Sequence, residues 1–195
     1  MTNMWDERYA QEEYVYGKEP NKFFSQELIK HNAGKILLPA EGEGRNAVHA
    51  AKLGWEVFAF DSSSEAIKKA EKLASENKVK ISYQLSSFEE VDYPDNFFDV
   101  IGLFYAHTFS RAENHKKLIN FLKSKGTVIL EGFSKKQINN NTGGPRKIEM
   151  LFSKEELQSD FARLSELKIW EEALHLEEGK YHQGKSSVIR LIGQK

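Results

Sequence analysis

The chain has 195 residues, with 28 lysines and arginines against 29 aspartates and glutamates and a net charge of −1. That balance gives no broad electrostatic footprint for nucleic acid or an anionic membrane surface, and no apolar run approaches the ~20 residues that span a bilayer. Neither nucleic acid nor membrane is therefore expected as a partner. There is no cysteine, which excludes disulfides, thiolate catalysis and Cys-ligated metal and makes a reducing cytoplasm the expected location. A hydrophobic fraction of 39% with 29% charged residues suits a soluble protein, expected as one domain over residues 1–195.

The N-terminal MTNMWDERY is polar and aromatic, unlike a signal peptide. Residues 1–20 carry Trp5, Tyr9, Tyr14 and Tyr16 among charges. Rings in that density either cover a sheet edge or form a flap over a planar ligand. Asn21 caps a helix with Phe23, Phe24, Leu28 and Ile29 facing inward, ending before Ala33-Gly34.

Residues 36–61, ILLPAEGEGRNAVHAAKLGWEVFAFD, read as one βαβ unit. Ile36-Leu37-Leu38 suit a buried strand, and Ala40-Glu41-Gly42-Glu43-Gly44 a tight turn. Ala47, Val48, Ala50, Ala51 and Leu53 recur at helical spacing up to Gly54, and Val57 to Phe60 form a second strand ending on Asp61. Ser62 to Glu65 is an S-x-x-E capping box opening the next helix, whose buried face is Ile67, Ala70 and Leu73-Ala74. Val79 to Leu85 alternates as a third strand, and Phe98 to Tyr105 is an almost wholly apolar, central fourth. Arg111 to Leu122 is a helix and Thr127 to Glu131 a fifth strand after a Lys125-Gly126 turn. Residues 134–150, rich in Asn and Gly and holding Pro145, predict a substrate-side loop or mobile lid. Ser153 to Glu156 is a second capping box, and residues 167–176 and 187–192 form a hairpin turning at Glu178-Gly179. Strands alternating with helices predict an α/β, doubly wound, mostly parallel sheet.

Strand, glycine turn, helix, strand and acid is an arrangement for holding a nucleoside: backbone approaches the ligand at the turn and the acid takes ribose hydroxyls. Gly42-x-Gly44-x-x-Ala47 followed by Asp61 fits both a nicotinamide cofactor and S-adenosylmethionine (SAM). Glu41 and Glu43 inside the turn are poor neighbours for a pyrophosphate but tolerable, and one of them useful, near the α-amino group or sulfonium of SAM, which tilts the reading toward SAM. The fourth strand ends in Tyr105-Ala106-His107, at the crevice where open α/β sheets bind ligands. Tyr105 or His107 is expected to face the transferred group there, with His107 able to take a proton; the other reading has His107 packing below the loop. His182 is expected in the same crevice, and His115 solvated on its helix. Trp5, Tyr9 and Tyr16 are expected over the acceptor, with Arg111 and Arg146 as candidates for an anionic one. The six histidines show no metal-ligand spacing, so no metal is expected.

AEGEGRNA, then Asp61-Ser62, then Asn96-Phe97-Phe98-Asp99-Val100-Ile101, together resemble the class I SAM-dependent methyltransferases. Within that group the chain is most similar to the small tellurite-resistance and thiopurine-methyltransferase-like enzymes. WDERY, YGKEPN, LEGF, NTGGP and the final hairpin extend the resemblance over most of the chain. It implies a seven-stranded Rossmann-like sheet with an antiparallel C-terminal hairpin. It implies that Ala40, Gly42 and Gly44 line the methionine end of SAM, that Asp61 binds the ribose, and that Ser62 lies beside the adenine. Ser86-Ser87-Phe88 stands where relatives carry an adenine-binding acid, so Ser87 is the nearest match, with Phe88 next to it. Leu38 and Ala40 depart from the pattern, at an acid and a glycine position respectively. The implied reaction is methyl transfer from SAM, leaving S-adenosylhomocysteine, to a small soluble acceptor such as a thiol or chalcogen anion. A non-catalytic SAM-binding module and an NAD(P)-dependent oxidoreductase are the alternatives.

Overall fold

A computed structural model describes residues 4–195, so residues 1–3 of the expected N-terminal flap lie outside the described residues. The helices are α1 (Met4–Tyr9), α2 (Lys22–Leu28), α3 (Arg45–Lys52), α4 (Ser64–Glu76), α5 (Arg111–Phe121) and α6 (Lys154–Asp160). The strands are β1 (Lys35–Pro39), β2 (Glu56–Asp61), β3 (Ser82–Leu85), β4 (Phe98–Phe104), β5 (Leu122–Phe133), β6 (Ser165–Glu178) and β7 (His182–Gln194). All seven strands form one sheet in the order β3-β2-β1-β4-β5-β7-β6. β1 to β5 pair in parallel, and β7 runs antiparallel to both of its neighbours. This is a doubly wound Rossmann-like sheet closed by an antiparallel hairpin.

Alternation along β1 builds the two halves of the core. Leu37 packs on one face with Phe60, Ile101, Leu103 and the α5 residues Leu118 and Ile119. Ile36 and Leu38 pack on the other with Phe24, Ala47, Ala50 and Phe104. Successive strand residues point to opposite faces, so an apolar run such as ILL requires helices on both sides. The chain steps outward from β1 to β2 and β3, then returns to place β4 on the opposite edge of β1. The β1/β4 junction is thus the topological switch point, and the turn after β1 and the segment after β4 open there together.

Local signals and tertiary packing disagree at several boundaries. α4 is capped by Ser63, whose hydroxyl accepts from Ala66 N–H, and not by Ser62. The reason is Asp61: its carboxylate takes Ser63 N–H and fixes the chain one residue later. β3 is limited to four residues, with Leu85 exposed, because it is an edge strand paired only with β2. β5 begins at Leu122, and the Lys125-Gly126 turn survives within it as an irregularity, Lys125 having φ 66° and the β4 register jumping from Leu122 to Thr127. The hairpin is longer than expected, and the Ser153–Glu156 capping box is present with both of its hydrogen bonds. Residues 134–150 are pinned to β7 through buried Gln137, which accepts from Ser187 N–H at 2.8 Å and donates to Gly143 O at 3.1 Å.

Gly44 caps α3 at φ 85°, and a Cβ there would stand 2.7 Å from the Ala70 methyl on α4. Gly44→Ala therefore combines a left-handed backbone with overpacking and is expected to destabilise the protein by about 2–4 kcal/mol, read as a lower urea midpoint at unchanged m-value.

Candidate functional site

The turn after β1 is built from left-handed residues: Ala40 at φ 49°, Gly42 at 66° and Gly44 at 85°. Ala40 holds with a methyl group the conformation that glycine adopts without strain. Asp61, at the end of β2, reaches across, its Oδ2 accepting from Gly42 N–H at 2.9 Å and its Oδ1 from Ser63 N–H at 2.9 Å. The carboxylate is buried, and burial raises its pKa against these backbone bonds. Ser62 N–H bonds to it as well, so of a carboxylate's roughly four lone-pair sites about one remains for a hydroxyl. Tyr83 from β3 donates to Gly42 O at 2.7 Å, fixing the turn from the other side.

Both glutamates of the turn act as braces. Glu43 accepts from Val15 N–H at 2.8 Å and pairs with Lys69 at 2.6 Å, tying the N-terminal segment and α4 to the turn. Glu41 accepts from Ala47 N–H at 2.7 Å and from the Asn46 amide at 3.3 Å. Burial pushes the Glu41 carboxyl up to about 7 against those bonds. The expectation that these acids face a ligand cation gives way to helix capping by Glu41 and loop anchoring by Glu43.

α1 lies over this turn. Asp6 accepts from the Ser63 hydroxyl at 2.6 Å, and the Tyr9 hydroxyl stands 2.8 Å from where a Cβ on Gly42 would lie. Trp5 stacks on Tyr9 at 5.8 Å between ring centres. The Arg8 guanidinium sits over Trp5 and over Tyr181 at 4.9 and 4.8 Å and donates to the Tyr16 hydroxyl. The N-terminal aromatics thus pack over the glycine turn and the start of α4.

Beside the turn, at the carboxyl ends of β4 and β5, lies a buried polar network. Asn21, the N-cap of α2, accepts from Phe24 N–H and donates its backbone N–H to the Asn46 side chain, both at 2.9 Å. Its Nδ2 donates to Glu131 at 2.6 Å and to Glu178 at 3.1 Å. Glu131 also accepts from the Tyr105 hydroxyl at 2.9 Å and pairs with Arg190 at 2.6 Å. Glu178 pairs with Arg45, the first residue of α3, at 2.8 Å. Tyr105 occupies a left-handed backbone position at φ 55°. Burial and then Glu131 and Glu178 raise its pKa well above normal, so it stays a hydrogen-bond donor. His182 lies against Tyr105 at 4.4 Å, Tyr16 at 4.6 Å and Phe133 at 5.1 Å. Tyr16, Tyr105 and His182 are therefore brought together.

Other predicted residues are placed elsewhere. His107 accepts from Phe133 N–H on Nε2 at 3.0 Å and donates from Nδ1 to Met150 O at 2.8 Å. Burial pushes its pKa down to about 4, and with both nitrogens held by backbone it has none left for a proton from an acceptor. His115 is buried, not solvated, its Nδ1 2.8 Å from Asp160. Arg111 pairs with Asp160 as well, so its charge is spent within the fold. Arg146 is exposed and donates to Asn140 O, outside the cluster. Ser87 accepts from Glu90 N–H, Phe88 packs edge-on to Phe60 in the core, and Ser62 is exposed at the start of α4. Sequence reasoning passed over Asn21 as more than a cap, and over Glu131, Glu178, Arg45 and Arg190. The one visible signal was Glu131, an acid closing an otherwise apolar strand TVILE.

Replacing Asn21 by Leu removes a helix cap, worth about 1 kcal/mol, and leaves buried Glu131 and part-buried Glu178 short of a donor, at about 1–3 kcal/mol. Urea unfolding is expected to show a loss of about 2–4 kcal/mol. Asn21→Asp should be at least as costly at pH 7, because it adds a third carboxylate, and should recover in part as the pH falls. For His107 the folded pKa is depressed, so the unfolded chain takes up a proton first as the pH falls below 6.5. Its contribution, on the order of 3 kcal/mol, is present above pH 6.5 and drains away towards pH 4. The His107→Gln variant should show a flatter stability profile over that window in urea titrations.

A family described as "Methyltransferase domain" matches residues 36–126, from β1 into β5. The glycine/sarcosine N-methyltransferase of Halorhodospira halochloris is 30% identical, over 65% of this chain and 47% of its own length. The chain spans about half the length of the curated relatives it matches. The YcgJ protein of Bacillus subtilis has a similar structure with a TM-score of 0.70 at 16% identity, covering 88% of this chain and 97% of that one. TehB from Haemophilus influenzae is similar with a TM-score of 0.65 at 17% identity, over 88% of this chain and 61% of its own. No helix among the described residues is long and apolar enough to cross a membrane.

Proposed function

We propose that the chain, which has the class I SAM-dependent methyltransferase fold, is related to the tellurite-resistance and thiopurine-methyltransferase-like enzymes and transfers a methyl group from SAM to a small soluble acceptor. The observation that carries the reading is the Asp61 carboxylate, held by Gly42 N–H at the carboxyl end of β2 beside the β1/β4 switch point. The residues present fit SAM. The turn presents bare backbone at Gly42, covered by the Tyr9 hydroxyl, and at Gly44, packed against Ala70, and the Asp61 carboxylate stands beside it with acceptor capacity left for a ribose hydroxyl. When bound, SAM supplies an activated methyl group on a sulfonium, so no nucleophilic side chain is required.

The chain's own part is binding, orientation and exclusion of water, which together are worth about 7–11 kcal/mol in well-oriented reactions. Ala40, Gly42 and Gly44 form the floor for the amino-acid end, Asp61 takes the ribose, and Ser62, Ser87 and Phe88 border the adenine side. Trp5 and Tyr9 on α1 are the cover, which shifts to admit SAM and then closes over it. Tyr16, Tyr105 and His182 border the acceptor, with Tyr105 held as a donor by Glu131. His107 and Arg146 take no direct part. A thiol or chalcogen acceptor matches the sequence resemblance, whereas the Halorhodospira relative is named for an amine acceptor; the fold alone does not choose between them.

Titration calorimetry with SAM, S-adenosylhomocysteine and NADH tests the reading. Both adenosyl ligands are expected to bind and NADH not to. Asp61→Ala is expected to weaken SAM by about 1.5–3 kcal/mol through lost charge-assisted bonds. Binding of NADH alone would replace methyl transfer by hydride transfer, and binding without turnover on any acceptor would leave a SAM-binding module.

A further inference from the structure

We propose that Glu178 and His182 form a carboxylate–imidazole pair in which Nε2 of His182 takes the proton of a protic acceptor, a thiol or an amine, as that acceptor is methylated. The inference rests on the methyl-transfer reading and deepens it by naming the acceptor class.

Glu178 ends β6 and His182 begins β7, and the two are register partners across the tight hairpin turn. His182 Nδ1 lies 3.4 Å from Glu178 Oε2, a separation of the loose kind that tightens when a substrate binds. Glu178 is itself fixed, by Arg45 at 2.8 Å on one oxygen and by Asn21 at 3.1 Å on the other. Although burial works the other way, His182 and Arg45 hold its carboxyl down at about 2, so it is ionised and accepts the Nδ1 proton. That orientation leaves Nε2 as the basic nitrogen. No hydrogen bond to Nε2 is made by the described residues, while rings of Tyr16, Tyr105 and Phe133 surround the imidazole. His107, close by, shows the contrast, with backbone on both nitrogens.

The location matches the chemistry. Arg45, which anchors Glu178, directly follows the glycine turn, and Tyr105, against His182, directly follows β4 across the switch point. In the transfer, the acceptor's electron pair forms the new bond to the methyl carbon, and the pair of the broken carbon–sulfur bond stays on sulfur. The acceptor's proton passes to Nε2, so the positive charge lost at the sulfonium reappears on the imidazolium, where Glu178 offsets part of the burial that otherwise lowers the ring's pKa. An acceptor that is already a full anion gains nothing from this pair.

Nitrogen-15 NMR of histidine-labelled protein, with His182 assigned through His182→Gln, reads the pair without any acceptor. The expected result at pH 7 is the Nδ1–H tautomer, with a titration midpoint that falls in Glu178→Gln. The groups facing the ring are Glu178 from β6, Arg45 from α3, Glu131 from β5, Tyr105 after β4, Tyr16 and His107, and only Glu178 is altered. An Nε2–H tautomer, or a midpoint unmoved by Glu178→Gln, overturns the proposal. With SAM at pH 7.5, His182→Gln is expected to lower kcat/KM on 2-mercaptoethanol about 10²–10⁴-fold and to spare 4-nitrothiophenol, which is already ionised. Equal losses on both thiols would mean a positioning role and overturn it too. If wild-type protein methylates neither thiol, the NMR result still decides the pair, and SAM calorimetry separately decides the methyl-transfer reading.

Discussion

One side-chain amide joins the two halves of the site. Asn21 uses every polar atom it has: the cap to Phe24, the backbone bond to Asn46, and an Nδ2 shared between Glu131 and Glu178. Asn46 in turn touches Glu41 in the glycine turn. A continuous chain of hydrogen bonds therefore runs from the turn after β1 to the carboxyl end of β5 and into the hairpin. Two carboxylates on one amide, Glu131 buried and Glu178 partly so, would repel each other if left alone. Arg190 neutralises one and Arg45 the other, which makes the arrangement tolerable in a low-dielectric interior.

That balance ties the C-terminal hairpin to the network. β7 reaches β5 as an antiparallel strand and delivers Arg190 to Glu131, while the β6/β7 turn delivers Glu178 and His182 to the opposite end of the network. Truncating a partner of a buried ion pair costs far more than the pair contributes to stability. The network is accordingly better understood as fixing positions, those of Tyr105 and His182 above all, than as a source of stability. Left-handed backbone at Ala40 and Tyr105, on either side of the switch point, points the same way, since such conformations persist where surrounding structure holds them and cluster at functional sites.

The N-terminal segment is bound into the same construction. Lys69 on α4 donates to the carbonyls of Gln11 and Glu13 and pairs with Glu43, which receives Val15 N–H. Trp5, Arg8, Tyr16 and Tyr181 then form a layered aromatic–cation cover above. Such contacts between half-buried rings and a guanidinium are each modest, whereas the anchoring around Glu43 is charged and buried.

The sequence by itself determined the scaffold. Strand, glycine turn, helix, strand and Asp61 were legible because each depends on neighbours within about 25 residues and on the spacing of apolar positions. The hairpin and the Ser153 capping box were legible for the same reason. Tertiary structure alone decided the polar network, because its members lie far apart in the chain: Asn21 meets Glu131 and Glu178, and Arg45 meets Glu178. Histidines illustrate the division most clearly. His107, His115 and His182 carry no local mark that separates them, and only the packing put backbone on both nitrogens of the first, Asp160 beside the second, and Glu178 beside the third. A side chain's hydrogen-bond partners, and so its proton affinity, are set by whatever the fold brings within about 3 Å, and no window of sequence contains that information.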